Sequence, residues 1–236
     1  MNRPAAANSI SRQMLGELSQ VSSRIAADDS VRAVVVTGAG KNFCAGMDLA
    51  EALEGEPAAV GARFVLHRLP QPVIAAINGS AMGGGCELAL ACDIRFAADN
   101  AKIGLPEVQF GELPLLGGTA RLGRLIGPSA AKRMILTGDP VDASNALRLG
   151  LVDEVCPAGE VVASAVALAE KIAHNAPFAV RTGKALIDRS LRGDIEDALD
   201  REQKEVLAMA TDEERREARR IAAQRNPIYA KLFGTE

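Results

Sequence analysis

Apolar residues recur at spacings of three and four through Ile10, Met14, Leu18, Val21 and Ile25, which predicts an amphipathic helix from about Ser9 to Ala27. The period then changes. Val31 to Val36 is a short β-branched run that ends in Thr37-Gly38-Ala39-Gly40, the pattern of a buried strand opening into a loop. Asp48 to Leu53 starts a second helix, and the Gly- and Pro-containing segment Glu51–Gly61 reads as a mobile connection. Pro72-Val73 opens another buried strand, Asp93 to Ala98 alternates enough to be a third, and a short helix lies between them. Strands alternating with helices predict an α/β core with at least partly parallel pairing. From Gly117 onward the pattern is mainly helical, interrupted by a strand candidate at Leu151 to Val155. Past Pro177, helix-length amphipathic segments break near Gly193 and around Thr211-Asp212, and the dense charges from Asp212 to Arg220 form a solvated helix face.

Composition narrows what such a core does. The 236 residues are 48% apolar, enough to fill a buried core, and a net charge of -3 offers no general attraction to nucleic acid or anionic membrane. Cys44, Cys86, Cys92 and Cys156 show no C-x-x-C spacing, and His67 and His174 are the only histidines, so a zinc centre is not expected. The start, Met1-Asn2-Arg3-Pro4-Ala5, has no apolar run of signal-peptide length, and no uncharged stretch is long and unbroken enough to span a membrane. A soluble cytoplasmic protein with reduced thiols is the expectation.

Three segments carry candidate chemistry. In Gly38-Ala39-Gly40-Lys41-Asn42-Phe43, Phe43 stands where a dinucleotide loop wants its last glycine, and Asn42 stands where a P-loop wants Ser or Thr after Gly-Lys. What remains is a strand-ending loop in which Ala45 and Gly46 allow close backbone approach just before Met47 and Asp48. The second segment is Gly83-Gly84-Gly85, set between the apolar run Val73 to Ile77 and the helix-like stretch Cys86 to Cys92 with its lone carboxylate, Glu87. Glycines at a strand-to-helix junction bring a ligand close to the free N–H groups of the first turn, so the segment looks built to hold an oxygen anion. In the third, Pro106-Glu107-Val108 places a carboxylate in a weakly charged stretch. Half-buried, it has a raised pKa and trades protons near neutrality. Spacing alone does not bring Glu87 and Glu107 together.

In order along the chain, Asn2-Arg3-Pro4 with Asn8, Phe43 to Leu49, Asn78-Gly79 to Glu87, Pro106-Glu107, Gly117-Gly118-Thr119 with Arg121-Leu122, Leu136-Thr137-Gly138 and Ala146 to Val152 resemble the crotonase, or enoyl-CoA hydratase/isomerase, family. The resemblance runs to about Phe233. It implies a spiral of β-β-α turns over residues 1–175 carrying an acyl-CoA site, and a helical region over 176–236 that builds homotrimers, often paired into hexamers. It implies an oxyanion hole made by the backbone N–H groups of Met47 and Gly84, and a pair of acids, Glu87 and Glu107, that act on a water molecule. The implied reaction is reversible hydration of a trans-2-enoyl-CoA. The implied acyl-CoA contacts are Ala5, Ala6, Ala7, Ala45, Asp48, Leu49, Ala50, Gly83, Leu115 and Leu116, with coenzyme A as part of the substrate and no separate cofactor or metal.

The same resemblance admits other chemistry. A carnitinyl-CoA-type dehydratase also keeps both glutamates, and Arg225-Asn226-Pro227 resembles that subgroup faintly, whereas the isomerase branch works with only the acid matching Glu107. A non-catalytic acyl-CoA-binding scaffold, with RNA affinity as some relatives show, is expected to lose a glutamate or gain a basic stripe, and neither is present. Three departures stand out. Ala50 replaces a common basic contact to the CoA phosphates, which is then either weaker or supplied by another cation such as Arg225 or Lys231 near the C-terminus. Leu115, followed by Leu116, replaces a common glycine and predicts a narrowed acyl pocket. Asn2-Arg3-Pro4 matches a segment that normally follows a first strand, so a sheet edge is expected to be missing. His67 and His174 are expected to be structural or exposed, and the cysteines to pack as small apolar residues.

Overall fold

The structure is a computed structural model that describes residues 1–48, 50–51, 66–191 and 194–208, with six further positions between 213 and 224. Leu49, most of the expected connection 51–61, the expected breaks near Gly193 and at 211–212, and Arg225 and Lys231 lie outside the described residues.

Helix α1 runs Arg12–Ala26, with the Ser11 side chain accepting the Met14 N–H at 3.1 Å. It starts later than the apolar spacing predicts because Ile10 is used elsewhere. Its N–H donates to Gly46 O at 2.7 Å and its carbonyl accepts from Asp48 N at 3.0 Å, a parallel bridge to Met47. The first strand, β1, is Val34–Val36 rather than Val31 to Val36. Pairing begins at Val34↔Val73, where Pro72 hands over to the fully buried β2, Val73–Ile77.

Strands β1 and β2 continue through β4 (Ile94–Ala98) to β7 (Glu154–Cys156) as an all-parallel sheet of order β1-β2-β4-β7. The last strand is displaced from the expected Leu151 to Val155 because the Leu151 and Val152 N–H groups bond to Ala146 O, closing the preceding helix. A second sheet, not foreseen, joins β3 (Ala81–Met82) in parallel to β5 (Lys102–Gly104), and β5 antiparallel to β6 (Val141–Asp142). Strands of two or three residues are too short to show a period in sequence.

The two five-residue strands, β2 and β4, each feed a short strand of the second sheet and then a helix. β2 and β3 lead into α2 (Gly84–Leu90), while β4 and β5 lead through a 3₁₀ turn at Glu107–Phe110 to α3 (Gly118–Ile126). This is the β-β-α spiral that the resemblance implies. Next come α4 (Pro128–Thr137), α5 (Ala143–Leu149) and α6 (Val161–Ala173), the last packed across β1, β2, β4 and β7. Helices α7 (Pro177–Ser190) and α8 (Ile195–Ala208) pack on one another. Lys184 ties α7 to the core through a 2.6 Å ion pair with Asp93, whose carboxylate also accepts the Val73 N–H at the head of β2. Among the described residues, no helix is long and apolar enough to cross a membrane, and no group of His, Cys, Asp or Glu side chains has the arrangement to hold a metal ion.

Candidate active site

The loop after β1 is moored to the end of β2 by Asn78, whose Nδ2 donates to Gly38 O and Gly40 O, both at 2.9 Å, while its Oδ1 accepts the Gly38 N–H. From there the chain runs against β3. Phe43 and Cys44 N–H groups donate to Ser80 O, and Met82 N–H donates to Cys44 O. Asn8, fully buried, braces the same loop from the other side through Nδ2 to Ala39 O at 2.9 Å and Asn42 O at 2.8 Å.

This bracing delivers Gly46 and Met47 to the start of α2. Gly46 sits at φ +103, open mainly to glycine, and a Cβ there would stand 3.5 Å from the Gly84 nitrogen. A Cβ on Gly84 would stand 3.6 Å from the Met47 nitrogen and 3.1 Å from Cδ1 of Ile10. The Met47 and Gly84 amides are thus neighbours, and among the described residues neither donates a hydrogen bond. Two unspent N–H groups at one spot are what an anionic oxygen needs. Gly85 completes the junction, because any side chain there would run into the Cys44 backbone.

Both candidate acids reach this spot. Glu87, in the first turn of α2, is only 2% exposed, and its Oε1 accepts the N–H groups of Leu116 at 2.7 Å and Gly118 at 2.8 Å. Burial raises its carboxyl above the ordinary value, opposed by those N–H groups and by the charge of Arg121. Glu107 opens the 3₁₀ turn after β5, half-buried, with its Oε1 3.1 Å from where a Cβ on Gly83 would lie. Its Oε2 is buried without a hydrogen-bond partner among the described residues. Burial pushes this carboxyl up to about 7, with the negative charge of Glu87 adding to the shift. The two carboxyls therefore sit in opposite surroundings. An unpartnered buried oxygen is cheaper neutral, whereas two N–H donors favour the anion on Glu87.

The other expected contacts divide. Leu116 is buried, its Cδ1 3.6 Å from the Gly84 Cβ position, so it stands beside the Met47 and Gly84 amides. Leu115 is 52% exposed and borders an open cleft shared with His67, Arg121 and Ile187. Ala5 and Ala6 lie exposed in a 3₁₀ turn, and Ala7, at φ 49, accepts the Ala45 N–H through its carbonyl. Ala50 is exposed, and Leu49 lies outside the described residues. Asp48 is turned inward: it pairs with Arg3 at 2.9 Å and accepts from Ser9 Oγ and the Ala50 N–H. Cys44 and Cys86 pack as neutral thiols, burial pushing Cys44 up to about 11.

Sequence reasoning missed the roles of the Leu116 and Gly118 backbone and of Ile10, and gave His67 no partner. The Leu116 and Gly118 amides that grip Glu87 leave no side-chain signature. Ile10, the buttress behind Gly84, reads as one more apolar helix position. His67 does not stand alone, because its Nδ1 meets Arg121 Nη2 at 3.2 Å.

Residues 1–230 match the family described as Enoyl-CoA hydratase/isomerase. The short-chain-enoyl-CoA hydratase of Clostridium acetobutylicum is 44% identical over 208 residues, covering 84% of this chain and 80% of the relative. The crotonyl-CoA hydratase of Syntrophomonas wolfei is 40% identical over 208 residues, with the same coverage of 84% and 80%. Among solved structures, the enoyl-CoA hydratase from Bacillus anthracis superposes with a TM-score of 0.82 at 42% identity, over 86% of this chain and 82% of that one.

Proposed function

The chain belongs to the enoyl-CoA hydratase/isomerase family, and from that premise we propose that it adds water reversibly to a trans-2-enoyl-CoA, giving the 3-hydroxyacyl-CoA. The observation that carries the reading is the convergence of two unspent amides, Met47 and Gly84, with two acids of unlike environment, Glu87 and Glu107.

The thioester oxygen accepts the Met47 and Gly84 N–H groups, which polarises the conjugated C=C–C=O system and makes the β-carbon electrophilic. One such donor is typically worth about 3–4 kcal/mol in the transition state. Glu87, an anion held by two amides, takes a proton from water as the water oxygen bonds to the β-carbon. The electron pair of the double bond moves to the α-carbon and thioester oxygen as an enolate, and Glu107 then gives its proton to the α-carbon. Atoms balance as one water added across the double bond, with the proton on Glu107 restored from Glu87. No electrons leave the substrate, so the chemistry calls for no redox carrier, and coenzyme A enters as part of the substrate. Dehydration is the same path reversed.

Large apolar side chains exposed on the single chain, Leu136 at 72%, Phe110 at 71% and Leu191 at 67%, support a homotrimer, alone or paired into a hexamer. Four free, buried cysteines fit a reducing compartment such as the cytoplasm. The direct test follows loss of the conjugated thioester band of crotonyl-CoA: turnover supports the reading, and tight binding without turnover contradicts it.

A further inference from the structure

We propose that Arg121 is a positioning residue for Glu87, acting through the Leu116–Gly118 turn. The proposal rests on Glu87 as the acid that handles water. That turn is held from two sides. Towards the site, the Leu116 and Gly118 N–H groups donate to Glu87 Oε1 at 2.7 and 2.8 Å. Away from it, Arg121 Nη1 donates to Leu116 O at 2.8 Å, and the Arg121 backbone N–H donates to Gly117 O at 2.9 Å. Both groups of the Leu116 residue, its N–H and its carbonyl, are thereby spent in opposite directions along one short path from guanidinium to carboxylate. Gly117, at φ +113, has no side chain to collide with the Arg121 guanidinium. His67 steadies the far end: arginine only donates, so the 3.2 Å contact requires His67 to accept at Nδ1.

The charge works in the same direction as the geometry. Among the described residues, the titratable groups facing Glu87 are Arg121 from α3, Glu107 from the 3₁₀ turn, and Cys86 beside it on α2, whose thiol burial pushes far up and keeps neutral. Arg121 is the cation of this set and favours the Glu87 anion, whereas burial opposes it. Removing the guanidinium loosens the two amides and lifts the Glu87 carboxyl together.

The test compares wild type, Arg121→Met and Arg121→Lys with crotonyl-CoA across pH, beside thermal unfolding and carbon-13 NMR titration of glutamate carboxyls, with Glu87→Gln assigning the resonance. In Arg121→Met, kcat is expected to fall on the order of 10²-fold with KM nearly unchanged, as a misplaced acid costs. The acid limb of kcat/KM and the Glu87 resonance should both move up by about one pH unit. Arg121→Lys keeps the charge, so its acid limb stays near wild type while kcat remains reduced. Arg121→Gln, which retains an amide donor, carries the same comparison if the methionine variant does not fold. A Glu87 titration and acid limb that stay at wild-type values in a folded Arg121→Met or Arg121→Gln protein overturn the proposal, including when kcat falls only in step with thermal stability. If wild type does not hydrate crotonyl-CoA yet the Glu87 resonance still moves, the hydratase reading fails and the positioning role stands.

Discussion

Gly83 and Glu107 pack so closely that a β-carbon on Gly83 would stand 3.1 Å from the Glu107 Oε1. The middle member of the contact is the backbone itself, since Gly83 also sits at φ +51 and passes its N–H to Gly104 O at 2.9 Å. Gly83→Ala therefore carries two penalties, a left-handed backbone for a residue with a Cβ and a displaced carboxylate. Thermal denaturation is expected to show a loss of about 1–3 kcal/mol, and hydration kinetics a lowered kcat. A variant with wild-type kcat would mean that Glu107 does not need its present position.

The raised carboxyls predict how stability varies with pH. Glu107 moves from 4.5 unfolded to about 7 folded, and Glu87 is raised as well, so between those values the folded state binds more protons than the unfolded. Stability from this source is full below the unfolded pKa and is lost as pH rises towards and through 7. The loss is at most about 3 kcal/mol for Glu107. Urea unfolding of wild type against Glu107→Gln at pH 5 and pH 8 checks it: the wild type should lose ground relative to the variant at the higher pH.

Leu116 beside the Met47 and Gly84 amides and Leu115 at the border of the cleft predict a preference for short acyl chains. Across a series from crotonyl-CoA to decenoyl-CoA, kcat/KM should fall by about tenfold or more, and Leu115→Gly should reduce the difference. Long chains reacting as well as crotonyl-CoA in wild type would refute the narrowed pocket.

The parts of the molecule legible in the sequence are those whose signal is local. Val73 to Ile77 reads as a buried strand because every residue in it is apolar and every one is buried. The triple glycine announces close backbone approach because no side chain fits against Cys44. What the sequence did not reveal depends on distant segments meeting. The Leu116 amide reaches Glu87 across 29 positions, and Ile10 leaves α1 for a bridge to Met47. Asp48, an acyl-CoA contact that the resemblance implies, has its oxygens engaged by Arg3, Ser9 and Ala50, partners that its spacing from Gly46 does not show. The short strands of the second sheet owe their existence to pairing partners, so only the folded chain displays them.

In the proposed reaction Glu87 and Glu107 divide the handling of one water between them. The most direct measurement is single-turnover hydration of crotonyl-CoA by wild type, Glu87→Gln and Glu107→Gln, with binding measured in parallel. Each glutamine variant is nearly isosteric, so affinity should hold while the chemical step slows by about 10²–10⁴-fold. Near-normal hydration by folded Glu107→Gln would contradict the account.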